Sequence, residues 1–234
     1  KSFIKQFGRF IFYSVLSVGL ITVILLPTFY SLLGSKGTAT TITWSLKSEY
    51  NPLLIASKLF IGSFDFHEMQ KGYPNIFVGS LAMFSFLCYF KEKKIALSQR
   101  LYALFIAIVL LISFNIEMFD KLWHAGQLPN WYSYRFSFLF SFWMIFLGYQ
   151  WALKKTAVGI HETFVYFFLV LATSIGFILF PQDYLQGWQI ALGFGLSMGI
   201  LYGLILIGRG KRTHQKFLIS FVVIELLLNS IITL

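Results

Sequence analysis

Trp188-Gln189-Ile190-Ala191-Leu192-Gly193-Phe194-Gly195-Leu196-Ser197-Met198-Gly199-Ile200-Leu201-Tyr202-Gly203-Leu204-Ile205-Leu206-Ile207 contains no charged side chain. As a helix this stretch is about 30 Å long, the thickness of a bilayer's hydrocarbon core. It is continuously apolar and lacks the in/out alternation of a barrel strand. Gly195, Gly199 and Gly203 recur at four-residue spacing, a small-residue face for close helix contact.

Six further runs have the same character: Phe10–Leu33, Tyr73–Phe90, Leu101–Phe119, Phe136–Leu153, Thr163–Phe180 and Phe217–Leu234. The chain of 234 residues is 57% hydrophobic and 12% charged, where soluble domains carry roughly 25% charge. The expected fold is therefore all-α, a polytopic transmembrane bundle of about seven spans, with residues 1–234 forming one membrane domain. The first run is too long for a signal-peptide core, and Pro27 within it should kink that helix. The chain opens on Lys1 rather than Met, as a piece of a longer protein would.

A net charge of +10 would suggest nucleic acid in a soluble protein, but here the cations lie in loops between apolar runs. Lys1, Lys5, Arg9, Lys91, Lys93, Lys94, Arg100, Lys154, Lys155, Arg209, Lys211, Arg212 and Lys216 fall in one set of loops. They outnumber the cations of the opposite set about two to one, so the first set is expected in the cytoplasm and no nucleic-acid partner is. Residues 34–72 and the connector between the third and fourth runs then face outward. Within 34–72, Pro52 can open a short helix lying in the interface, with Lys58 toward the headgroups; packing on the bundle is the equal alternative.

The connector is Trp123-His124-Ala125-Gly126-Gln127-Leu128-Pro129-Asn130-Trp131-Tyr132-Ser133-Tyr134-Arg135. Four aromatic side chains fit an interfacial belt, or faces on which a sugar or ligand ring can stack. Arg135 opens the fourth run with a permanent fork of donors suited to a phosphate; snorkelling to lipid phosphates is the plainer alternative. Asp65, His67 and Glu68 form a group that a general base or a divalent cation could use, or an ordinary solvated loop. Glu117 and Asp120 share a helical face, with His124 one turn on. Glu225, deep in the seventh run, should face the bundle and be paired, either as an ion relay or in a structural hydrogen bond to Asn229 or a neighbouring helix. Cys88 stands alone, so neither a disulfide nor a cysteine metal site is expected, and no cofactor fingerprint is present.

Four separated motifs occur in order: Leu26-Pro27; Gly62-Ser63-Phe64-Asp65; Tyr73-Pro74-Asn75-Ile76-Phe77-Val78-Gly79; and Leu128-Pro129-Asn130-Trp131-Tyr132-Ser133-Tyr134-Arg135-Phe136-Ser137-Phe138. Together with Glu225 and Asn229 they resemble the bacterial YfhO family. That resemblance implies a GT-C-like membrane glycosyltransferase of Gram-positive bacteria, working on the outer face of the plasma membrane. It implies a polyprenyl-phosphate sugar donor and a cell-envelope polymer acceptor such as lipoteichoic acid. Such enzymes carry their main catalytic acid in the first external loop, which would lie upstream of Lys1. In this sequence Arg135 is then expected at the phosphate, Asn130, Trp131 and Trp123 around the sugar or acceptor, and Asp65 and His124 as supporting polar groups. The competing readings are a transporter or flippase for a lipid-linked substrate, with Glu225 as coupling carboxylate, and a non-catalytic envelope scaffold.

Overall fold

The computed structural model describes residues 3–33, 44–124, 126, 129, 131–154, 158–207 and 212–233. The chain divides into two compact units, residues 1–43 and 44–234. The first holds α1 (Phe3–Leu33), an apolar helix with Pro27 inside it. Its hydroxyls at Ser17, Thr22 and Thr28 each donate to the carbonyl four residues back, so none of the three is left unmet along the apolar rod.

In the second unit a 3-10 helix over Pro52–Leu59 is followed by α2 (Glu68–Lys71), α3 (Ser80–Tyr89), α4 (Leu97–Ser113) and α5 (Glu117–Trp123). Next come α6 (Ser137–Lys154), α7 (Ile160–Leu179), α8 (Gly187–Ile207) and α9 (Arg212–Ile232). All regular elements among the described residues are helical. Among the described residues four helices are long and apolar enough to cross a membrane: α1, α7, α8 and α9. The other three expected spans are shorter as helices. α3 has 10 residues, α4 has 17, and α6, with 18, carries Ser137, Ser141, Tyr149 and Gln150.

Small residues set the helix contacts. α3 packs on α6 and α8, and α8 packs on α7 and α9. A Cβ at Gly148 of α6 would lie 3.0 Å from that of Ser85 on α3, and a Cβ at Gly199 of α8 would overlap the Phe221 ring of α9. Gly203 lies against Leu218 and Phe217 in the same interface, whereas Gly195 faces open space. The small-residue face of α8 is therefore two glycines long where it meets α9.

The truncation of α3 organises this unit. Gly79, at φ +80°, turns the extended 72–79 segment into the helix, a conformation that costs L side chains energy. The exposed N-terminus of α3 meets a carboxylate: Ser80 N donates to both oxygens of Glu225 at 3.1 and 2.9 Å, and Ser80 Oγ to one of them at 2.5 Å. Ser80 Oγ also pairs with Ser197 Oγ at 2.7 Å, and Tyr166 donates its hydroxyl to the Ser80 carbonyl at 3.2 Å. Ser197 and Glu225 lie near the middles of α8 and α9, so α3 begins at that level and covers about 15 Å, half a bilayer core. Non-helical backbone at such depth survives when buried in protein, and Pro74, Ile76 and Gly79 are buried. Glu225 thus has a helix cap as its partner rather than Asn229.

The stretch around Lys58 departs from one of its two expected readings. Lys58 is fully buried and does not reach toward headgroups. Its Nζ donates to the Ser63 carbonyl and to Glu68, both at 2.5 Å, and lies 3.7 Å from the centre of the Tyr184 ring. These partners replace water around the ammonium, so the 3-10 helix packs with its cation inward.

Replacing Glu225 by Ala should leave the Ser80 N–H without its acceptor at a cost of about 1–3 kcal/mol. Glu225→Gln, which keeps one carbonyl acceptor, should lose less. Thermal unfolding of the purified proteins in detergent measures both, and equal midpoints for wild type and Glu225→Ala would remove the cap from the account.

Candidate functional site

The connector is built against the 60–79 segment. Gly126 N donates to the Lys121 carbonyl at 2.7 Å with φ +90°, ending α5 after seven residues. Tyr132 adopts φ +56°, rare for a side chain of its size, and is held there from both sides. Its N–H donates to the Met69 carbonyl at 2.8 Å, and its own carbonyl accepts from Arg135 Nε at 3.2 Å. Arg135 also donates to the Trp131 carbonyl at 3.0 Å. The guanidinium is exposed, and no carboxylate pairs with it among the described residues. Two of its five N–H donors are engaged by these carbonyls.

The expected aromatic residues divide into two groups. Trp123 stacks on Phe136 at 4.8 Å, and Phe136 on Phe114 at 5.1 Å, so Trp123 closes the bundle end. Trp131 lies 5.9 Å from Phe66, and Tyr132 6.1 Å from Phe64, which joins both to the Asp65 loop. Asn130 lies outside the described residues. Asp65 accepts from Glu68 N at 3.0 Å and lines a cavity of about 330 Å³ with Ser63, Phe64, Phe66, Met69, Asn75, Phe77, Asn229 and Thr233.

One helical turn down α9, a second cavity of about 470 Å³ is lined by Val78, Gly79, Leu81, Leu218, Val222, Leu226 and Glu225 among others, and is mainly apolar. Asn75 with Phe77 in the first cavity, and Val78 with Gly79 in the second, belong to one extended segment. Asn229 and Gln189 hold the preceding turn: Gly62 N donates to Asn229 Oδ1 at 2.9 Å, and Gln189 Nε2 to the Gly62 carbonyl at 2.8 Å.

His124 is placed elsewhere. Its Nδ1 sits 3.0 Å from the Asp120 carbonyl and 3.4 Å from Asp120 Oδ1, and burial pushes its pKa down. Asp120 is wholly buried, with no hydrogen-bond donor on either oxygen among the described residues, and burial followed by the charge of Glu49 pushes it up to about 7. Burial also raises Glu49, although Tyr134 donates to it at 2.5 Å and opposes the shift. Sequence reading missed the grouping of Glu49 with Tyr50, Tyr73, Tyr134 and Tyr184. The rings run Tyr134–Tyr50–Tyr73–Tyr184 at 6.0, 4.7 and 5.6 Å, linking Glu49 to the Lys58 cage. The available signal was the density of tyrosines in nominal loops. Asp65, His67 and Glu68 do not converge, because Glu68 turns to Lys58, and no three His, Cys, Asp or Glu groups gather for a metal among the described residues.

A family model described as bacterial membrane protein YfhO matches residues 1–234. The chain belongs to the YfhO family. No curated protein and no solved structure matches it. Membership makes this chain a membrane protein, in keeping with the four long apolar helices among its described residues. The matched region includes both cavities and the Arg135 turn.

Two outcomes follow for this YfhO chain. Lys58→Met should cost about 3 kcal/mol, the low end for breaking a buried pair because Glu68 keeps some solvent contact. Lys58→Met with Glu68→Gln should recover part of the loss in chemical unfolding. For Asp120, a folded pKa above the ordinary 3.8 means that the native state binds the proton more tightly. Its contribution is fully present below pH 3.8 and is lost as pH rises through about 7. The thermal midpoint of wild type relative to Asp120→Asn should therefore fall across that window, whatever opposite slope His124 adds to both; parallel curves would refute the assignment.

Proposed function

We propose that this protein is a membrane glycosyltransferase that moves a sugar from a polyprenyl-phosphate carrier to a cell-envelope polymer, such as lipoteichoic acid, at the outer face of the bacterial plasma membrane. In this reading α3, α4 and α6, with the extended 72–79 segment, complete a seven-span GT-C-like bundle. The observation that carries the reading is the stacking of a polar cavity and an apolar groove along one wall of α9 and residues 75–79. A polar-headed lipid needs that succession. The head enters the Asp65 cavity while the chain stays among Leu81, Leu218 and Leu226.

Arg135 supplies the remaining element. Its turn carries Trp131 onto Phe66, a residue of the cavity wall, and in this reading the exposed guanidinium meets the phosphate of such a lipid. A fork of donors at a departing phosphate stabilises the charge that develops there. In this reading Asp65, on the cavity wall, orients an acceptor hydroxyl for a base that lies elsewhere. A transport mechanism would ask Glu225 to exchange a proton, whereas its oxygens hold the N-terminus of α3.

The test is transfer of labelled sugar from a supplied polyprenyl-phosphate donor by the full-length protein in liposomes. Arg135→Ala should lower turnover by about 100-fold or more, on the order of losing one such donor group, with expression intact. Wild-type turnover in that variant would sink the role given to Arg135, and no transfer by the intact protein would sink the reading itself.

A further inference from the structure

The 330 Å³ cavity has a composition that selects among ligands. Its volume is at the low end of roughly 300–1,000 Å³ for small-molecule sites, too small for a lipid chain of many carbons. Among the described residues neither Lys nor Arg lines it, and Asp65 does, so an anion placed inside would meet a like charge. Three rings, Phe64, Phe66 and Phe77, form apolar walls.

The two asparagines have fixed orientations. Asn229 Oδ1 accepts from Gly62 N at 2.9 Å, and Asn75 Oδ1 from Phe77 N at 3.4 Å. A backbone N–H must meet the oxygen of a carboxamide, so each side chain keeps its NH2 group for another partner. No described residue accepts from either NH2 group. Asp65 uses one oxygen on Glu68 N and keeps the other. Among the described residues the wall therefore offers two NH2 donors, one carboxylate acceptor and aromatic faces, with no cation.

We infer that this cavity binds a neutral hexopyranose unit, read by the NH2 groups of Asn75 and Asn229 and the carboxylate of Asp65, with the phenylalanine rings against its C–H faces. Vicinal hydroxyls both donate and accept, which matches amide donors set beside a carboxylate. The C–H face of a pyranose packs on aromatic rings as other apolar surfaces do. Asn75 and Asn229 are thus specificity-determining residues, one on the extended segment and the other on α9. The assignment deepens the transfer reading and rests on it for the origin of the sugar, but binding can be measured without transfer.

The experiment uses the full-length protein in nanodiscs, with methyl β-D-glucopyranoside, methyl β-D-galactopyranoside and inorganic phosphate as probes. Saturation-transfer NMR follows the sugars, and Trp131 fluorescence follows the rim. Asn75→Asp and Asn229→Asp keep the oxygen that Phe77 N or Gly62 N needs while deleting the NH2 donor, so the fold is preserved. Each should weaken binding of at least one hexopyranoside about tenfold, the usual effect of one lost hydrogen bond to a ligand, without moving the unfolding midpoint. Undiminished sugar binding in both variants, or no sugar binding by wild type, overturns the inference. So does phosphate that displaces the sugar from wild type and fails to bind Asn229→Asp. Sugar binding that depends on both asparagines, in a protein that transfers nothing, upholds the cavity assignment while removing the transfer reading.

Discussion

The bond between the Glu225 carboxylate and the N-terminus of α3 fixes the rest of the second unit. A helix that begins halfway through an apolar layer exposes N–H groups and a partial positive charge where water cannot reach them. A carboxylate at the centre of a membrane helix costs on the order of 3 kcal/mol by insertion scales. Each defect is the remedy for the other. Hydrogen bonds to a charged group contribute about 1.5–3 kcal/mol, and Ser80 supplies them from both N and Oγ. One turn further along α9, Asn229 accepts from Gly62, so the same helix that seats α3 also anchors the turn before the Asp65 loop.

This explains which parts of the fold were legible in the sequence. α7, α8 and α9 could be read because length and apolar composition decide a membrane span almost alone. The shortening of the Tyr73–Phe90 run could not, since Ile76, Phe77 and Val78 carry the apolar character of the helical half back into the extended half. Pro74 and Gly79 marked the interruption, but only the distant Glu225 lets a helix start at Ser80. Lys58 was misplaced for a related reason. A lysine in an interfacial stretch ordinarily reaches for headgroups, and nothing local announces that Glu68, Ser63 and Tyr184 will surround it. Asp120 was seen beside Glu117 on one face, yet the carboxylate that shifts it is Glu49, brought near by the pairing of Ser48 with Ile116.

The aromatic connector shows how composition can be right and its division invisible. Its density suggested one surface, but the structure assigns Trp123 to a stack with Phe136 and Phe114, while Trp131 and Tyr132 form a rim over Phe66 and Phe64. The separation follows from Gly126, which ends α5, and from Tyr132, whose left-handed backbone turns the chain onto Met69. Arg135 makes that turn self-consistent by donating to two of its carbonyls.

Charge then decides how this face meets a ligand. Lys58 is neutralised by Glu68, and Lys121 by Glu117. Asp120, without a donor on either oxygen, is relieved by taking up a proton as its pKa rises to about 7. Arg135 cannot lose its charge and has carbonyls, not a carboxylate, as its described partners. On the proposed reading, a phosphate is met by the exposed Arg135 guanidinium and the neutral head by the cavity wall that carries Asp65. That proposal needs the two signs of charge held apart, and Arg135 and Asp65 sit on different segments, joined by the contact of Trp131 with Phe66.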